Sequence, residues 1–209
     1  MTFVPLRVRS HGSLLWGTAA SAALVERAVA LGYHALALTD RDNLYLGVAF
    51  DQAARAAGLA PLLGAELTAP RTNRAAAAGP GALLLALDRR GYANLCVVLT
   101  ARHLDADFDL VRSLAASHAG LHVVVESPTL AAALLAAGVP AAAAPGRTHA
   151  GGLWLGLRGI ATGAVTAGRI ATARRLGVPL VATGDVVMLA GGDWEVHRAA
   201  VAAAAGELL

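Results

Sequence analysis

Seven polar residues stand where the predicted strands end, and their types limit the chemistry that the chain can perform. They are Arg7, Arg9, Asp40, Arg41, Asp42, Glu66 and Asp185. Carboxylates that converge at one edge of a sheet suit a divalent metal ion, which needs several lone pairs together. Arginine offers no lone pair and stays protonated at any working pH. Three arginines among these carboxylates therefore argue against a metal site.

The remaining residue types do not supply the missing ligands. No pair of the seven histidines has a convincing ligand spacing, and the single cysteine, Cys96, excludes an internal disulfide and a cysteine-based zinc site. The chain contains no Walker A motif, no dinucleotide-binding glycine pattern, no nucleophile elbow and no His-Glu-x-x-His motif. We therefore predict no catalytic residue and no bound metal or cofactor.

Short β-type runs alternate with alanine-rich helical runs along the whole chain. The predicted strands are 3–8, 34–40, 60–67, 82–87, 120–126, 139–144, 152–159 and 179–185, and the predicted helices are 18–32, 44–58, 91–104, 129–138, 161–177 and 192–206. About seven β-α units indicate a parallel sheet with helices packed outside it. An unchanged pattern over residues 1–209 favours one α/β domain closed as a barrel over an open doubly wound sheet, and active sites of such barrels lie at the carboxyl ends of the strands.

Composition and charge exclude several classes of function. Hydrophobic residues make up 56% of the chain and charged residues 15%, and the net charge is only +3. The arginines are scattered, so a dedicated nucleic-acid surface is not indicated, although weak or indirect contact with nucleic acid stays open. The chain has no signal-peptide pattern and no uninterrupted apolar run of about 18 residues. We expect a cytoplasmic protein without a membrane partner.

Four blocks of sequence, in order, resemble one known family. They are "LRVRSHGSLLWG" (6–17), "ALTDRDNLYLGVAFDQAARAAGLAPLLGAELT" (37–68), "GYANLC" (91–96) and "PLVATGDVVMLAGGDWEVH" (179–197). They are similar to the PHP (polymerase and histidinol phosphatase) domain, in particular the N-terminal PHP domain of bacterial C-family DNA polymerases, the polymerase III alpha-type subunits. The resemblance slightly favours their error-prone branch. It implies a distorted TIM-like (β/α)7 barrel and, in the ancestral family site, zinc or manganese.

When the family's metal-ligand positions are matched to this sequence residue by residue, the resemblance implies that most of the ligands have been replaced. The former metal-site positions are Arg7, Arg9, Trp16, Arg41, Glu66, Ser127, Asp185 and Val187, and the family histidine that opens the fourth strand falls on Gly81 or Ala82. Of these, Glu66 and Asp185 remain able to act as ligands. Trp16 is interpreted as a plug over the former site rather than as a platform for stacking bases.

The arginines can take over the charge of the absent metals. We predict an ion-pair network of Arg7, Arg9, Arg41, Glu66 and Asp185, joined by Asp40 or Asp42. Two alternatives stay open: the arginine cluster binds a phosphate group, or some of these side chains point to solvent.

These expectations lead to one main functional hypothesis and two alternatives. The main one is an inactive PHP domain of a C-family DNA polymerase, acting as a scaffold for the rest of a polymerase chain or for replication and repair proteins. The parent protein would be a DNA-directed DNA polymerase, of which this chain is either a fragment or a stand-alone relic. The alternatives are a metal-dependent phosphoesterase with a site rebuilt around Glu66, Asp185 and His11, and a module that binds a phosphorylated ligand.

Overall fold

The structure is a computed structural model, and it describes residues 3–68, 81–143, 151–158 and 163–206. The elements in chain order are α1 (Ser21–Ala30), β1 (Ala35–Arg41), α2 (Gly47–Ala56), β2 (Ala60–Leu67), β3 (Ala82–Ala86), α3 (Arg89–Leu104), α4 (Leu110–Ser117), β4 (Leu121–Val125), α5 (Pro128–Ala136), β5 (Gly152–Leu157), α6 (Gly163–Leu176), β6 (Leu180–Ala182), a 3-10 turn (Gly191–Asp193) and α7 (Trp194–Ala205). The described residues form two compact units: unit 1 is 3–65 with 184–206, and unit 2 lies between 66 and 183. The single domain over 1–209 stays a prediction.

Unit 1 holds an extended segment, residues 5–9, that makes backbone hydrogen bonds on both of its sides. On one side, the Thr39 N–H of β1 donates to the Val8 carbonyl at 2.8 Å. On the other side, the Arg9 N–H donates to the Val186 carbonyl at 2.9 Å. The segment is thereby fixed between β1 and the chain that follows residue 184.

The predicted strand 3–8 is nevertheless wrong as a regular strand, since an isolated bridge between Val8 and Val186 is its only ladder contact among the described residues. Pro5 has no N–H to donate. The Val8 N–H donates to the Thr39 hydroxyl at 2.9 Å instead of to a neighbouring strand. These two features interrupt the ladder.

The core of unit 1 is apolar and lies between the two helices α1 and α2 and the segments beside them. Its buried side chains include Val8, Leu24, Val25, Leu36, Leu38, Phe50 and Leu59. Leu24 and Ala28 recur at helical spacing on α1, so the predicted helix 18–32 presents the expected apolar face. All three predicted helices of this unit, 18–32, 44–58 and 192–206, are present as α1, α2 and α7, with shorter ends than the sequence suggested.

The sheet of unit 2 has the order β3-β4-β5-β6. Strands β4, β5 and β6 are parallel, but β3 runs antiparallel to β4, with Ala82 opposite Val125. The predicted all-parallel sheet is wrong at this pair. Two helices, α3 and α4, connect the two strands. A single helix would bring the chain back to the edge of the sheet at which β3 begins, and the next strand would then be parallel to β3. The second helix brings the chain to the edge at which β3 ends, so β4 runs in the opposite direction.

Helix α4 is the element that the sequence reading missed. Its first turn is capped by Asp109, whose side chain accepts from the Arg112 N–H at 2.7 Å. An aspartate before an apolar periodic run is a helix-start signal that the sequence contains.

Two further predicted strands are shorter in the structure. Within the described part of 139–144, an isolated bridge joins Ala141 to Leu153, and the strand 179–185 is reduced to β6. Residues 144, 159 and 161–162 of the predicted elements lie outside the described residues. Among the helices that the structure describes, none has both the length and the apolar character needed to cross a bilayer.

Candidate functional site

The extended segment 5–9 carries Arg7 and Arg9 at alternate positions, so both side chains leave it on the same face. Both arginines are buried, with exposures of 5% and 4%. The Nη1 atom of Arg9 lies 2.5 Å from Asp185 Oδ1. The Val186 N–H donates to the Arg7 carbonyl at 3.0 Å and fixes the aspartate beside the segment. Of the predicted network, the pair Arg9–Asp185 is formed.

Asp40, near the end of β1, is a buried carboxylate with hydrogen bonds to both of its oxygens. It is 2% exposed. Its oxygens accept hydrogen bonds from the Ser10 N–H at 2.7 Å, the Ser10 hydroxyl at 2.6 Å and the Ser13 hydroxyl at 2.6 Å. A buried carboxylate is tolerated when donors replace its water shell. Asp40 therefore holds the loop 10–17 against the end of β1.

That loop places the indole of Trp16 close to two guanidinium groups. The guanidinium carbon of Arg41 lies 4.6 Å from the Trp16 ring centroid, and that of Arg9 lies 5.8 Å from it. The ring of His197 meets the indole edge-on at 5.6 Å, and its Nδ1–H donates to the Trp16 carbonyl at 2.7 Å. We call Arg9, Trp16, Arg41 and His197 the Trp16 cluster. With cations at the indole ring, Trp16 is not available as a free stacking platform for a base.

Four side chains at the predicted metal-site positions of unit 1 lack metal-binding atoms. Arg7, Arg9, Trp16 and Arg41 occupy positions where the resemblance implies ligands or their neighbours, and none of these side chains offers a lone pair suited to a metal. Across the parts of the chain that the structure describes, no group of three or more histidine, cysteine, aspartate or glutamate side chains could hold an ion.

The other predicted positions have different surroundings. Val187 accepts two hydrogen bonds through its carbonyl, from the Thr18 N–H at 3.3 Å and the Thr18 hydroxyl at 3.1 Å. Glu66 is a partly buried residue of β2 in unit 2. Ser127, also in unit 2, is the N-cap of α5 and accepts from the Leu130 N–H at 3.2 Å. The complete five-residue network stays a prediction.

Unit 2 contains a carboxylate held by two arginines, which the sequence reading missed. Glu126 directly follows β4, and its Oε1 accepts from Arg158 Nε at 3.1 Å. Its Oε2 lies 3.6 Å from Arg169 Nη2. Gly156 leaves the space, because a Cβ there would come within 3.1 Å of Val124 and 3.4 Å of the Glu126 side chain. Glu126 and Arg158 lie at the carboxyl ends of the predicted strands 120–126 and 152–159, so the sequence contains a signal for both residues.

A histidine and a tryptophan on the same sheet form a second polar contact. Trp154 Nε1–H donates to His122 Nδ1 at 2.9 Å, and the two rings meet edge-on with centroids 5.5 Å apart. Burial lowers the pKa of the His122 imidazole below its ordinary value. A proton on Nδ1 would also remove the acceptor that the indole uses.

We expect the stability of the protein to decrease as the pH falls below about 6.5, the ordinary pKa of histidine. Between about pH 6.5 and the lower pKa of the folded state, His122 is protonated in the unfolded chain but stays neutral in the folded chain. The unfolded state therefore binds more protons in this pH range. The loss develops below about 6.5 and levels off once the pH passes the lowered folded pKa.

Urea unfolding between pH 8 and pH 5 measures this effect. The control is His122→Asn, whose amide oxygen can accept the Trp154 N–H but does not titrate. Parallel pH dependence in the two proteins would show that His122 contributes nothing to it.

One family model and several curated relatives match this chain. The model of the PHP domain matches residues 5–137. An error-prone DNA polymerase of Mycobacterium tuberculosis is 37% identical over 129 residues, which cover 56% of this chain and 12% of the relative. An error-prone DNA polymerase of Pseudomonas fluorescens is 34% identical over 197 residues, which cover 89% of this chain and 17% of the relative. The chain thus spans a small fraction of these relatives' length.

Two solved structures share the fold. An amidohydrolase from Chromobacterium violaceum, solved with bound sulfate and no metal, superposes with a TM-score of 0.63 at 13% identity and covers 95% of this chain and 97% of the other. A structure from Bifidobacterium adolescentis, described as a metal-dependent phosphoesterase, has a TM-score of 0.57 at 15% identity, with coverages of 88% and 87%. These likenesses show an α/β fold consistent with a distorted TIM-like barrel. Since the family model matches more than half of the chain, the chain belongs to the PHP domain family.

Proposed function

We propose that this PHP domain does not hydrolyse phosphoesters and serves as a structural scaffold in a C-family DNA polymerase of the error-prone type. The observation that carries the proposal is the donor set of unit 1, where Arg7, Arg9, Trp16 and Arg41 stand in place of metal ligands. Among the former metal-site positions in unit 1, Asp185 alone keeps metal-binding side-chain atoms, and one ligand is too few to hold the metal that would activate water for phosphoester hydrolysis. We also propose that the domain forms a closed (β/α)7 barrel and that it binds no cofactor.

The scaffold role is supported by the relatives and by the surface of unit 1. The curated relatives are much longer polymerase chains, so we propose the remainder of such a chain, or replication and repair proteins, as partners in the cytoplasm. Leu14, Tyr45 and Val48 are 76%, 71% and 67% exposed. Exposed large apolar side chains offer contact area to a partner protein. Contact with nucleic acid is proposed to be weak or indirect.

The proposal predicts that the protein purified without chelator contains far less than one zinc or manganese ion per chain and does not hydrolyse a generic phosphodiester. Elemental analysis by mass spectrometry measures the first quantity and a chromogenic phosphodiester assay the second. The Bifidobacterium neighbour, purified in parallel, is the control that the procedure retains metal.

Stoichiometric zinc or manganese together with hydrolysis would overturn the proposal and favour the alternative of a phosphoesterase with a rebuilt site. Bound metal without hydrolysis would show that the residues of unit 1 can hold a metal ion. The proposal that the domain does not hydrolyse phosphoesters would still stand.

A further inference from the structure

Arg41 differs from Arg9 in what its guanidinium contacts. Arg9 is paired with Asp185. The side chain of Arg41 forms no hydrogen bond or ion pair with any residue that the structure describes, and its contact there is the indole of Trp16 at 4.6 Å. It is also partly exposed, so a molecule from solution can reach it.

The backbone of Arg41 is held firmly in place. Its N–H donates to the Ser13 hydroxyl at 3.0 Å, and its carbonyl accepts from the Asn43 side-chain amide at 2.8 Å. Asn43 also donates to the Gly12 carbonyl at 2.9 Å, which ties this backbone to the loop 10–17. These hydrogen bonds fix the position of the Arg41 backbone from which the guanidinium side chain extends.

The guanidinium carbon of Arg41 lies over the Trp16 ring, and its N–H groups have no acceptor among the residues that the structure describes. A guanidinium that lies on an aromatic face keeps its N–H donors in the plane of the group, where they suit two oxygens of one anion. The stacked position also limits the rotamers of Arg41, so less side-chain entropy is lost when an anion binds.

No ion pair between Arg41 and the neighbouring Asp40 is formed in the part of the chain that the structure describes. The oxygens of Asp40 accept from Ser10 and Ser13. A further donor lies close by: the Nε1–H of Trp16 is buried and has no acceptor among the described residues. An unsatisfied buried donor of this kind is uncommon and is often explained by an ion or water that shares the site. An oxyanion beside Arg41 would accept from its guanidinium and from an N–H of this kind.

We propose that the Trp16 cluster is an anion site in which Arg41 binds a phosphate-type oxyanion through its exposed N–H edge. The source is either inorganic phosphate or the backbone of single-stranded DNA, which present the same chemistry to a guanidinium. This inference goes beyond the scaffold role, and it requires neither metal nor hydrolysis.

The test compares melting temperatures in sodium phosphate and in sodium chloride of equal ionic strength. A phosphate concentration of about five times Kd is expected to raise the melting temperature by about 2–4 °C. Arg41→Ala is expected to lose this shift. Arg55→Ala is the matched control, because Arg55 is an exposed arginine with its own partner, Asp51, and should keep it.

Phosphorus NMR provides a second measurement that does not depend on any variant folding. The wild-type protein should broaden the inorganic phosphate resonance at millimolar concentrations. Arg41→Lys, which keeps the charge but not the planar fork, should bind several-fold more weakly. No broadening by the wild-type protein, or equal shifts in wild type and Arg41→Ala, would overturn the proposal.

A short single-stranded oligonucleotide distinguishes the two sources. Competition with phosphate that is lost in Arg41→Ala would assign the site to nucleic-acid phosphates. Phosphate binding without competition would assign it to free phosphate, and oligonucleotide binding that survives Arg41→Ala would exclude DNA as the ligand of this site.

Discussion

Replacing Asp40 with alanine is expected to lower the free energy of unfolding by about 3–5 kcal/mol, because each hydrogen bond to a charged group contributes about 1.5–3 kcal/mol and several are lost together. The change removes the acceptor of three hydrogen bonds and leaves the Ser10 N–H and the hydroxyls of Ser10 and Ser13 inside unit 1 without it. Unsatisfied buried donors keep the cost of their lost hydration. Urea unfolding monitored by circular dichroism measures the loss.

Two variants separate this effect from a general loss of charge. Asp51→Ala removes a carboxylate from the surface of α2, where it meets Arg55 at i,i+4 in solvent, and should change stability little. Asp40→Asn keeps the shape but directs an NH2 group at one of the donors, and should be nearly as harmful as alanine. A loss for Asp40→Ala no larger than that for Asp51→Ala would show that the loop 10–17 does not depend on this carboxylate.

Replacing Gly17 with alanine is expected to cost about 3 kcal/mol, the upper end of what overpacking usually costs. A Cβ on Gly17 would lie 1.9 Å from the Ser10 carbonyl oxygen, a backbone atom that the Ser13 N–H already engages at 3.0 Å. The φ of Gly17 is not in the left-handed region, so the cost arises from this contact alone. Thermal unfolding measures it, and the fluorescence of Trp16 should change because the loop that carries the indole must shift.

Gly168→Ala is the matched control for a glycine without such a neighbour. Gly168 lies inside α6, and a Cβ there would meet nothing within 4 Å. Alanine at this position should raise stability by up to about 1 kcal/mol, because glycine is a poor helix former. If both alanine variants are stabilised, the loop 10–17 must be loose enough to accommodate the extra methyl group.

The sequence predicted most elements of the fold because their signals are local. Strand 60–67 has the same bounds as β2, and the predicted helix 91–104 is present as α3 with an earlier start. The failures concern strand pairing and strand direction. The segment 3–8 has strand-like residues, but Pro5 and the hydroxyl of Thr39 interrupt its pairing. The reversed strand β3 depends on a second connecting helix that the reading did not recognise.

The candidate site was predictable as a list of positions and not as a set of contacts. The resemblance identified Arg9 and Asp185, which form an ion pair. It also identified Arg41, whose described side-chain contact is with Trp16 rather than with a carboxylate. Partner choice depends on side-chain directions in three dimensions, so residue types at strand ends could not decide it. Glu126 is the last residue of the predicted strand 120–126, so its position is a local signal, whereas its arginine partners depend on the folded structure.

Because β3 and β4 are antiparallel, the residues that share an edge of the sheet of unit 2 differ from those expected for an all-parallel sheet. Ala82 opens β3 and lies opposite Val125, the last residue of β4. Strand polarity thus places the beginning of β3, rather than its end, beside the residues that follow β4. The family histidine that opens this strand would project from the same edge as Glu126, and here that position holds Gly81 or Ala82, which have no donor atoms in their side chains. In a sheet of mixed polarity, ligands should be sought before each reversed strand and after each forward one.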